Sequence, residues 1–162
     1  ARAWGRDKLV GLARWLIERL PAARLLVHCG PGDRDQARGV VESVAHPAVA
    51  GLHNEPDLPI GLAKGLFARA DLAVSSDSGP RHIAAAFGVP TVAIVGPIDA
   101  RLGRSDPERC VEIRLDVACS PCGKHDCPLG HHDCMGLIDV EQVGRAALEQ
   151  LDRFGDRRSL AG

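Results

Sequence analysis

Apolar residues along the chain fall into two kinds of run. Residues 8–20 carry leucine, isoleucine and alanine at the spacing of one helical face, and Pro21 ends that run. Residues 24–29 (RLLVHC) form a short, mostly apolar run with the length of a buried strand. The same two patterns predict further helices at 33–44, 58–70, 80–87 and 139–151, and further strands at 48–52, 71–75, 91–95 and 110–115. Asp139 stands where the N-cap of the last helix is expected.

This alternation of strands and helices predicts the fold class. Strands that are apolar at consecutive positions, rather than at every second one, are typical of a parallel sheet with helices on both faces. We therefore expect a Rossmann-like α/β domain. Ligands of such sheets bind beyond the carboxyl ends of the strands, near the point where the strand order reverses. The candidate site residues are then those at 29–35, 76–82 and 96–101.

Composition narrows the class of protein. The chain has 162 residues, 45% hydrophobic and 3% aromatic, with a net charge of −1. That is too apolar for a disordered chain and lacks the basic surplus of a nucleic-acid binder. No run approaches the roughly 18 apolar residues of a membrane span, and no signal-peptide pattern opens the chain. We expect one domain over 1–153, a flexible polar tail at 154–162 and, because the chain starts at Ala1, a longer parent protein.

The loop at 75–82 (SSDSGPRH) follows a predicted strand and opens a predicted helix. Pro80 suits the first helical position, where its missing N–H costs nothing. Gly79 lets a ligand approach the backbone, and the unpaired N–H groups of a helix start attract anions. This loop is therefore a candidate phosphate site.

Polar side chains of the same loop extend that chemistry. Ser76 and Ser78 offer hydroxyl groups, and Asp77 can accept hydrogen bonds from sugar hydroxyls. Arg81 and His82 can offer positive charge or donors to a phosphate. The alternative is that Asp77 or Ser78 merely caps the helix, with Gly79 serving the turn.

Two other strand-to-helix loops carry weaker signals. Residues 30–35 (GPGDRD) lack both the G-x-G-x-x-G fingerprint and a Walker lysine. Asp35 or Asp33 could bind a ribose diol there, or either could be a solvated acid near a helix start. Residues 96–99 (GPID) are explained equally well by ordinary turn chemistry.

A cysteine-rich loop at 117–136 is the most unusual feature of the sequence. Four of the six cysteines lie within it, in the spacing C-x2-C-x4-C-x6-C, with His125, His131 and His132 between them. Four thiolates can hold a structural zinc, although an iron–sulfur cluster, a disulfide or redox pair, and packed free thiols are alternatives. The candidate metal ligands are Cys119, Cys122, Cys127 and Cys134, whereas His131 and His132 are expected at the surface. Cys29 and Cys110 lie in apolar strand runs and are expected in the core.

Residues 75–97 resemble a known family. The order of a strand, D-S-G-x-x-H, an alanine-rich helix, G-V-P, a second strand and G-P is similar to the donor-site segment of the bacterial lipopolysaccharide heptosyltransferases. The motifs at 119–122 (CSPC) and 127–135 (CPLGHHDCM) resemble a segment of the heptosyltransferase II-like members. The resemblance covers roughly residues 4–151.

The resemblance implies a GT-B glycosyltransferase, with two Rossmann-like domains and the active site between them. This chain looks like the C-terminal domain, which holds ADP-heptose, and the N-terminal acceptor domain is missing from it. By the match, Asp77 would contact the donor sugar, the Ser78 and Gly79 amides the diphosphate, and His82 the phosphate region. Asp35 falls near the ribose-binding acid of the family.

The resemblance also implies a reaction. The family transfers heptose to the lipid-linked core of lipopolysaccharide with inversion, without a metal, and with an acidic base in the N-terminal domain. This chain alone would then bind the donor without turning it over. We expect a cytoplasmic protein, peripheral at the inner face of the inner membrane, with no nucleic-acid partner and no cofactor beyond the structural zinc of the loop.

Two departures and two alternatives accompany this interpretation. Ile98 stands where the family usually has threonine or serine, and the lysine and hydroxyl residues that usually precede the first tryptophan are absent. Another GT-B enzyme, such as a UDP-sugar transferase or epimerase, would differ only in how it recognises the base. A non-enzymatic, metal-stabilised α/β module that binds partners through the cysteine loop is the other alternative.

Overall fold

A computed structural model describes residues 3–99, 108–124 and 126–155 of the chain. Residues 156–162 of the predicted tail, residues 100–101 of the third candidate loop and His125 lie outside these ranges. The helices are α1 (Arg6–Arg19), α2 (Arg34–Val44), α3 (Ile60–Arg69), α4 (Gly79–Ala86), α5 (Asp133–Gly136) and α6 (Val140–Phe154). The strands are β1 (Leu25–Val27), β2 (Val49–Gly51), β3 (Ala73–Ser76), β4 (Thr91–Ile94) and β5 (Cys110–Ile113).

All of these strands pair in parallel, as predicted. β1 pairs with β2, with Leu25 opposite Val49, and β3, β4 and β5 form a second segment in which Thr91 lies between Ala73 and Cys110. Within the described residues the strands thus form two hydrogen-bonded segments rather than one continuous ladder. The parallel α/β class is confirmed, and the carboxyl ends of the paired strands point the same way within each segment.

Alternation along β3 and β4 sends side chains to two different cores. Val92 and Ile94 belong to the larger core, which contains Trp4 and residues of α1 and α6. Ala73 of β3 packs instead with Ala84 of α4 and with Val89. Because both of these alanines are small, α4 lies close to β3, and its first turn is therefore held at the end of that strand.

The strands other than β4 are less buried than the sequence predicts. All four residues of β4 are buried, but β1 and β2 each expose their middle residue, and Leu26 is 43% exposed. The middle residues of β1 and β2 are therefore open to solvent in this chain.

The last helix is fixed against the first. Gly144 of α6 approaches Trp15 so closely that an added Cβ would lie 2.5 Å from the indole ring. At the other end of the packing, the Trp4 indole N–H donates to the Ile138 carbonyl at 3.2 Å. α6 begins at the predicted cap, because the Asp139 carboxylate accepts from the amides of Glu141 and Gln142 at 2.7 and 3.4 Å.

Removing the carboxylate of Asp139 tests this cap. Asp139→Ala leaves both amides without their acceptor, and we expect it to lower the free energy of unfolding by about 1 kcal/mol, as measured by urea denaturation. Asp152→Ala, in the exposed last turn of the same helix, is the control and should not destabilise the protein, because an acid is unfavourable there. Equal losses in the two variants would contradict a capping role.

No helix in the described ranges has both the length and the apolar character needed to cross a bilayer.

Candidate functional site

A cleft of about 250 Å³ opens beyond the carboxyl ends of β1 and β3. One wall is formed by His28, Cys29 and Gly30, which follow β1, and another by the first turn of α4. A third wall is apolar and lies around the start of α3; it consists of Leu52, Leu58, Pro59, Ile60, Leu62 and Ala63. The cleft is therefore at the edge of the sheet where the first two candidate loops were predicted to bind a ligand.

The first turn of α4 presents unpaired backbone donors to this cleft. Ser78 is the N-cap residue, but its side chain makes no cap hydrogen bond and its hydroxyl lies 3.3 Å from the Ser76 carbonyl instead. Side-chain capping by Asp77 or Ser78, the alternative left open by the sequence, is therefore wrong. Within the described residues, the amides of Ser78 and Gly79 have no hydrogen-bond acceptor. Such amides are what an anion needs at a helix start.

Gly79 keeps this end of α4 open. A Cβ built on Gly79 would meet no atom within 4 Å, and the residue itself lines the cleft. The space next to its backbone is thus available to a ligand, as predicted from the sequence.

Asp77 is held in place by a buried arginine. Arg81, whose side chain is 1% exposed, donates from Nη1 to Asp77 Oδ1 at 2.8 Å and from Nη2 to Glu112 on β5. Burial opposes the charge of the guanidinium, but Cys110, Glu112 and Asp77 together raise the pKa of Arg81 above its ordinary value. Arg81 therefore stays charged. The prediction that it contacts a phosphate is wrong, because its Nη1 and Nη2 atoms already donate to Asp77 and Glu112 inside the protein.

The Asp77 side chain is 14% exposed, so it is more accessible than its partner. Arg81 contacts its Oδ1 atom. A carboxylate has capacity for several hydrogen bonds on its two oxygens. Asp77 can therefore accept further hydrogen bonds while its orientation is fixed by Arg81.

The other predicted site residues, which are Ser76, His82 and Asp35, lie in different surroundings. Ser76 ends β3 directly before Asp77, and its hydroxyl donates to Ser78 Oγ at 3.4 Å. His82 is exposed on the first turn of α4. Asp35 is exposed, pairs with Arg38 at 3.3 Å and does not line the cleft. Among the predicted site residues, Gly79 therefore lines the cleft itself, whereas Ser76, Asp77, Ser78 and His82 are its neighbours along the chain and Asp35 lies on the surface of α2.

Sequence reasoning missed the apolar wall and the residue that holds it. Arg34, at the start of α2, donates to the carbonyls of His53 and Glu55 at 2.8 and 2.6 Å. It thereby fixes the segment that leads into Leu58, Pro59 and Ile60. The available signal was the apolar tripeptide at 58–60, which leads into the first residue of α3, Ile60, and leaves it 61% exposed.

His28 gives the cleft a neutral ring. Burial lowers the pKa of His28, with the charge of Asp33 acting in the opposite direction. The imidazole lies against Phe67, with ring centroids 5.6 Å apart. His28 is thus uncharged near neutral pH and contributes a flat, polar-edged surface to the wall.

The cysteine loop is fastened to the end of β4. The Gly123 amide donates to the Pro97 carbonyl at 2.7 Å, and Ser120 Oγ donates to the Gly96 carbonyl at 2.8 Å. A Cβ on Gly96 would come within 2.5 Å of Met135 Sδ and 3.3 Å of Cys134 Sγ. Glycine is therefore required for this close approach, and the loop lies beside the strand that neighbours β3.

The four cysteines of the loop are free thiols that surround one small cavity of about 20 Å³. Cys134 is buried, and burial together with the neighbouring thiols of Cys119, Cys122 and Cys127 raises its pKa. Backbone amides of the following turn, led by that of His132, lower the pKa of Cys127. The four cysteine side chains, as they stand, do not form a complete set of metal ligands. Among the described residues, no three Cys, His, Asp or Glu side chains are placed to hold one ion.

The remaining cysteine and histidine predictions have separate outcomes. Cys29 is 4% exposed, as expected for the core, whereas Cys110 is only half-buried. His131 and His132 are exposed, as predicted, although His131 also borders the thiol cavity.

Comparison with known protein families gives one match that covers most of the chain. The sequence profile of glycosyltransferase family 9 (heptosyltransferase) matches residues 4–132. Lipooligosaccharide heptosyltransferase 2 of Campylobacter jejuni serotype O:2 is 42% identical over 76 residues, which is 45% of this chain and 23% of that protein. Lipopolysaccharide heptosyltransferase 1 of Pseudomonas aeruginosa is 38% identical over 82 residues, covering 48% of this chain and 23% of that protein.

Two solved structures share the fold. The E. coli ADP-heptose lipopolysaccharide heptosyltransferase II superposes with a TM-score of 0.74 at 22% identity, over 98% of this chain and 44% of that chain. A family 9 glycosyltransferase of Veillonella parvula superposes with a TM-score of 0.75 at 23% identity, over 94% of this chain and 42% of that chain. The chain therefore spans less than half the length of these relatives.

Proposed function

Because the chain belongs to glycosyltransferase family 9, we propose that it forms the donor-binding half of a heptosyltransferase that takes ADP-heptose and extends the inner core of lipopolysaccharide. The observation that carries this proposal is the pairing of two acceptor-free amides at the start of α4 with an apolar wall in the same cleft. A nucleoside diphosphate has both parts that this surface can bind, a flat base and two anionic phosphates.

The parts of the cleft divide naturally among the parts of the donor. The nucleoside lies along the apolar wall at Leu58, Pro59 and Ile60, where ring burial is favourable. The diphosphate lies at the Ser78 and Gly79 amides, and the sugar extends toward Asp77. At about 250 Å³ the cleft is smaller than most complete ligand pockets, as expected if another part of the protein closes over the donor.

The chemistry follows from the charge that develops on the donor. Breaking the bond to the anomeric carbon leaves negative charge on the diphosphate, and the fixed N–H groups of α4 stabilise it without reorganising. His82 is exposed on the same turn, and we propose that its ring donates to the phosphate region. Asp77, oriented by Arg81, accepts from sugar hydroxyls and keeps the anomeric carbon in position for an inverting attack. We propose that this reaction needs no metal.

We further propose that the acceptor and its activating base belong to a part of the enzyme beyond this chain. Support comes from the relatives, of which this chain covers only 44% and 42%. The chain alone should then bind donor but transfer nothing. The proposed setting is the cytoplasmic face of the inner membrane, where the lipid-linked acceptor is available. A ribose contact of Asp35 remains a prediction, and it would require the donor to reach past the described cleft.

Calorimetry with ADP, ADP-heptose and UDP tests this assignment. We expect ADP and ADP-heptose to bind more tightly than UDP, and His82→Ala to weaken ADP binding by about tenfold through the loss of a charge-assisted hydrogen bond. Arg145→Ala, which removes an exposed cation on α6, is the control and should leave the affinity unchanged.

The other results separate the alternatives. Tighter binding of UDP than of ADP would favour another GT-B sugar-nucleotide enzyme. If the folded chain bound none of the three nucleotides, the donor-site assignment would be contradicted. The non-enzymatic α/β module would then be the favoured alternative.

A further inference from the structure

The fold brings four cysteines to the lining of one small cavity. Cys119, Cys122, Cys127 and Cys134 all border the same cavity of about 20 Å³, together with Pro97, Pro128, Leu129 and His131. None of the four is in a disulfide. Cysteines spread over sixteen positions, the last of them in α5, thus meet at one cavity.

Ordinary core packing does not explain the cluster. Only Cys134 is buried, Cys122 is exposed, and Cys119 and Cys127 are half-buried. A buried cysteine behaves as a small apolar side chain, but an exposed one gains little from packing. Three of the four thiols therefore lack the burial that a purely hydrophobic role would require.

The middle of the loop has little else to stabilise it. Between β5 and α5 there is no regular element in the described residues, and most positions from Pro121 to His132 are exposed. Val117, Cys134 and Met135 hold the two ends of the loop in the larger core, but the middle is anchored by the hydrogen bonds to Gly96 and Pro97. Segments with so small a core are commonly held by disulfides or by a structural metal.

We propose that Cys119, Cys122, Cys127 and Cys134 bind one zinc ion, which cross-links the loop and fixes it against the end of β4. Four thiolates form the donor set that tetrahedral zinc prefers. The cavity is about the size needed for one water molecule, which suits a single ion. The side chains that border the cavity do not form a closed shell in this structure, and we expect zinc binding to draw the four sulfurs together by rotation about χ1.

Four protein ligands leave no open position on the metal, so the site is structural and separate from the chemistry in the donor cleft.

The test measures metal directly. The chain is purified under reducing conditions, its zinc content is determined by elemental analysis, and its affinity is measured by competition with a chromophoric chelator. We expect one zinc per chain, and we expect cobalt to give the visible absorption bands of tetrahedral thiolate coordination. Cys122→Ser removes one exposed ligand and should weaken zinc binding by at least about tenfold. Cys110→Ser, a cysteine outside the loop, is the matched control and should retain one zinc.

A second measurement keeps the proposal testable if Cys122→Ser fails to fold. In the unmutated chain, bound zinc should protect four thiols from alkylation, and a chelator should expose them. A reduced, folded chain that binds no zinc, or four loop thiols that alkylate equally with and without zinc, would overturn the proposal. So would recovery of the loop cysteines as disulfides. None of these measurements depends on nucleotide binding. The zinc proposal and the donor-site proposal are therefore tested independently.

Discussion

Arg81→Met is expected to lower the free energy of unfolding by about 3–5 kcal/mol. Arg81 has a side chain that is 1% exposed and contacts both Asp77 and Glu112, whose side chains are 14% and 20% exposed. Methionine fills much of the same volume but leaves two poorly solvated carboxylates without their cation. Urea denaturation monitored by circular dichroism measures the loss.

The control for this variant uses a pair with similar geometry in a different environment. Arg145 contacts Glu141 at 2.6 Å across one helical turn, as Arg81 contacts Asp77, but its side chain is 71% exposed. Arg145→Met should have no measurable effect on stability. Adding Glu112→Gln to Arg81→Met removes one of the uncompensated charges and should recover part of the loss. If Arg81→Met were no more destabilising than Arg145→Met, the buried ion pairs would not hold β3, α4 and β5 together.

Gly79→Ala is expected to weaken ADP binding by at least about tenfold while leaving the stability of the chain unchanged. The new methyl group meets no protein atom within 4 Å, so the folded structure has room for it. It enters instead the space in which the diphosphate approaches the Ser78 and Gly79 amides. A displacement that lengthens those hydrogen bonds costs about 1.5–3 kcal/mol of binding, which corresponds to a tenfold loss or more.

Gly65→Ala is the matched control. Gly65 is exposed on α3, and a Cβ there also meets nothing within 4 Å. Since alanine favours a helix, this variant should be slightly more stable and should bind ADP normally. Unchanged ADP binding by Gly79→Ala would show that the start of α4 does not contact the phosphates.

The fold and the edge that carries the site could be predicted because both depend on local patterns. Short apolar runs and helical spacing are properties of neighbouring residues, and parallel pairing then places 29–35 and 76–82 at the same edge. The N-cap at Asp139 was predictable for the same reason, since its partners are two and three residues away.

Contacts between distant residues were not predictable. Arg81 looked available to a phosphate because its partner Glu112 lies 31 residues further along the chain and reaches it only through the register of β5. Nothing in the local sequence distinguished Arg34 from the other charged residues. In the structure it donates to carbonyls 19 and 21 residues away, in the segment that leads into the apolar wall. The cysteine spacing predicted a cluster, but not that Gly96 would make room for Cys134 at the end of β4.

Amide NMR shifts during titration with ADP test the central claim most directly. The account predicts that the largest shifts lie around the cleft, at residues 28–30, 58–63 and 78–83. Amides of Ser78 and Gly79 should move most, because they have no acceptor among the described residues and gain the phosphate. Shifts confined to α6 or to the cysteine loop, or no shifts at saturating ADP, would contradict the claim that this chain holds the donor half of a family 9 transferase.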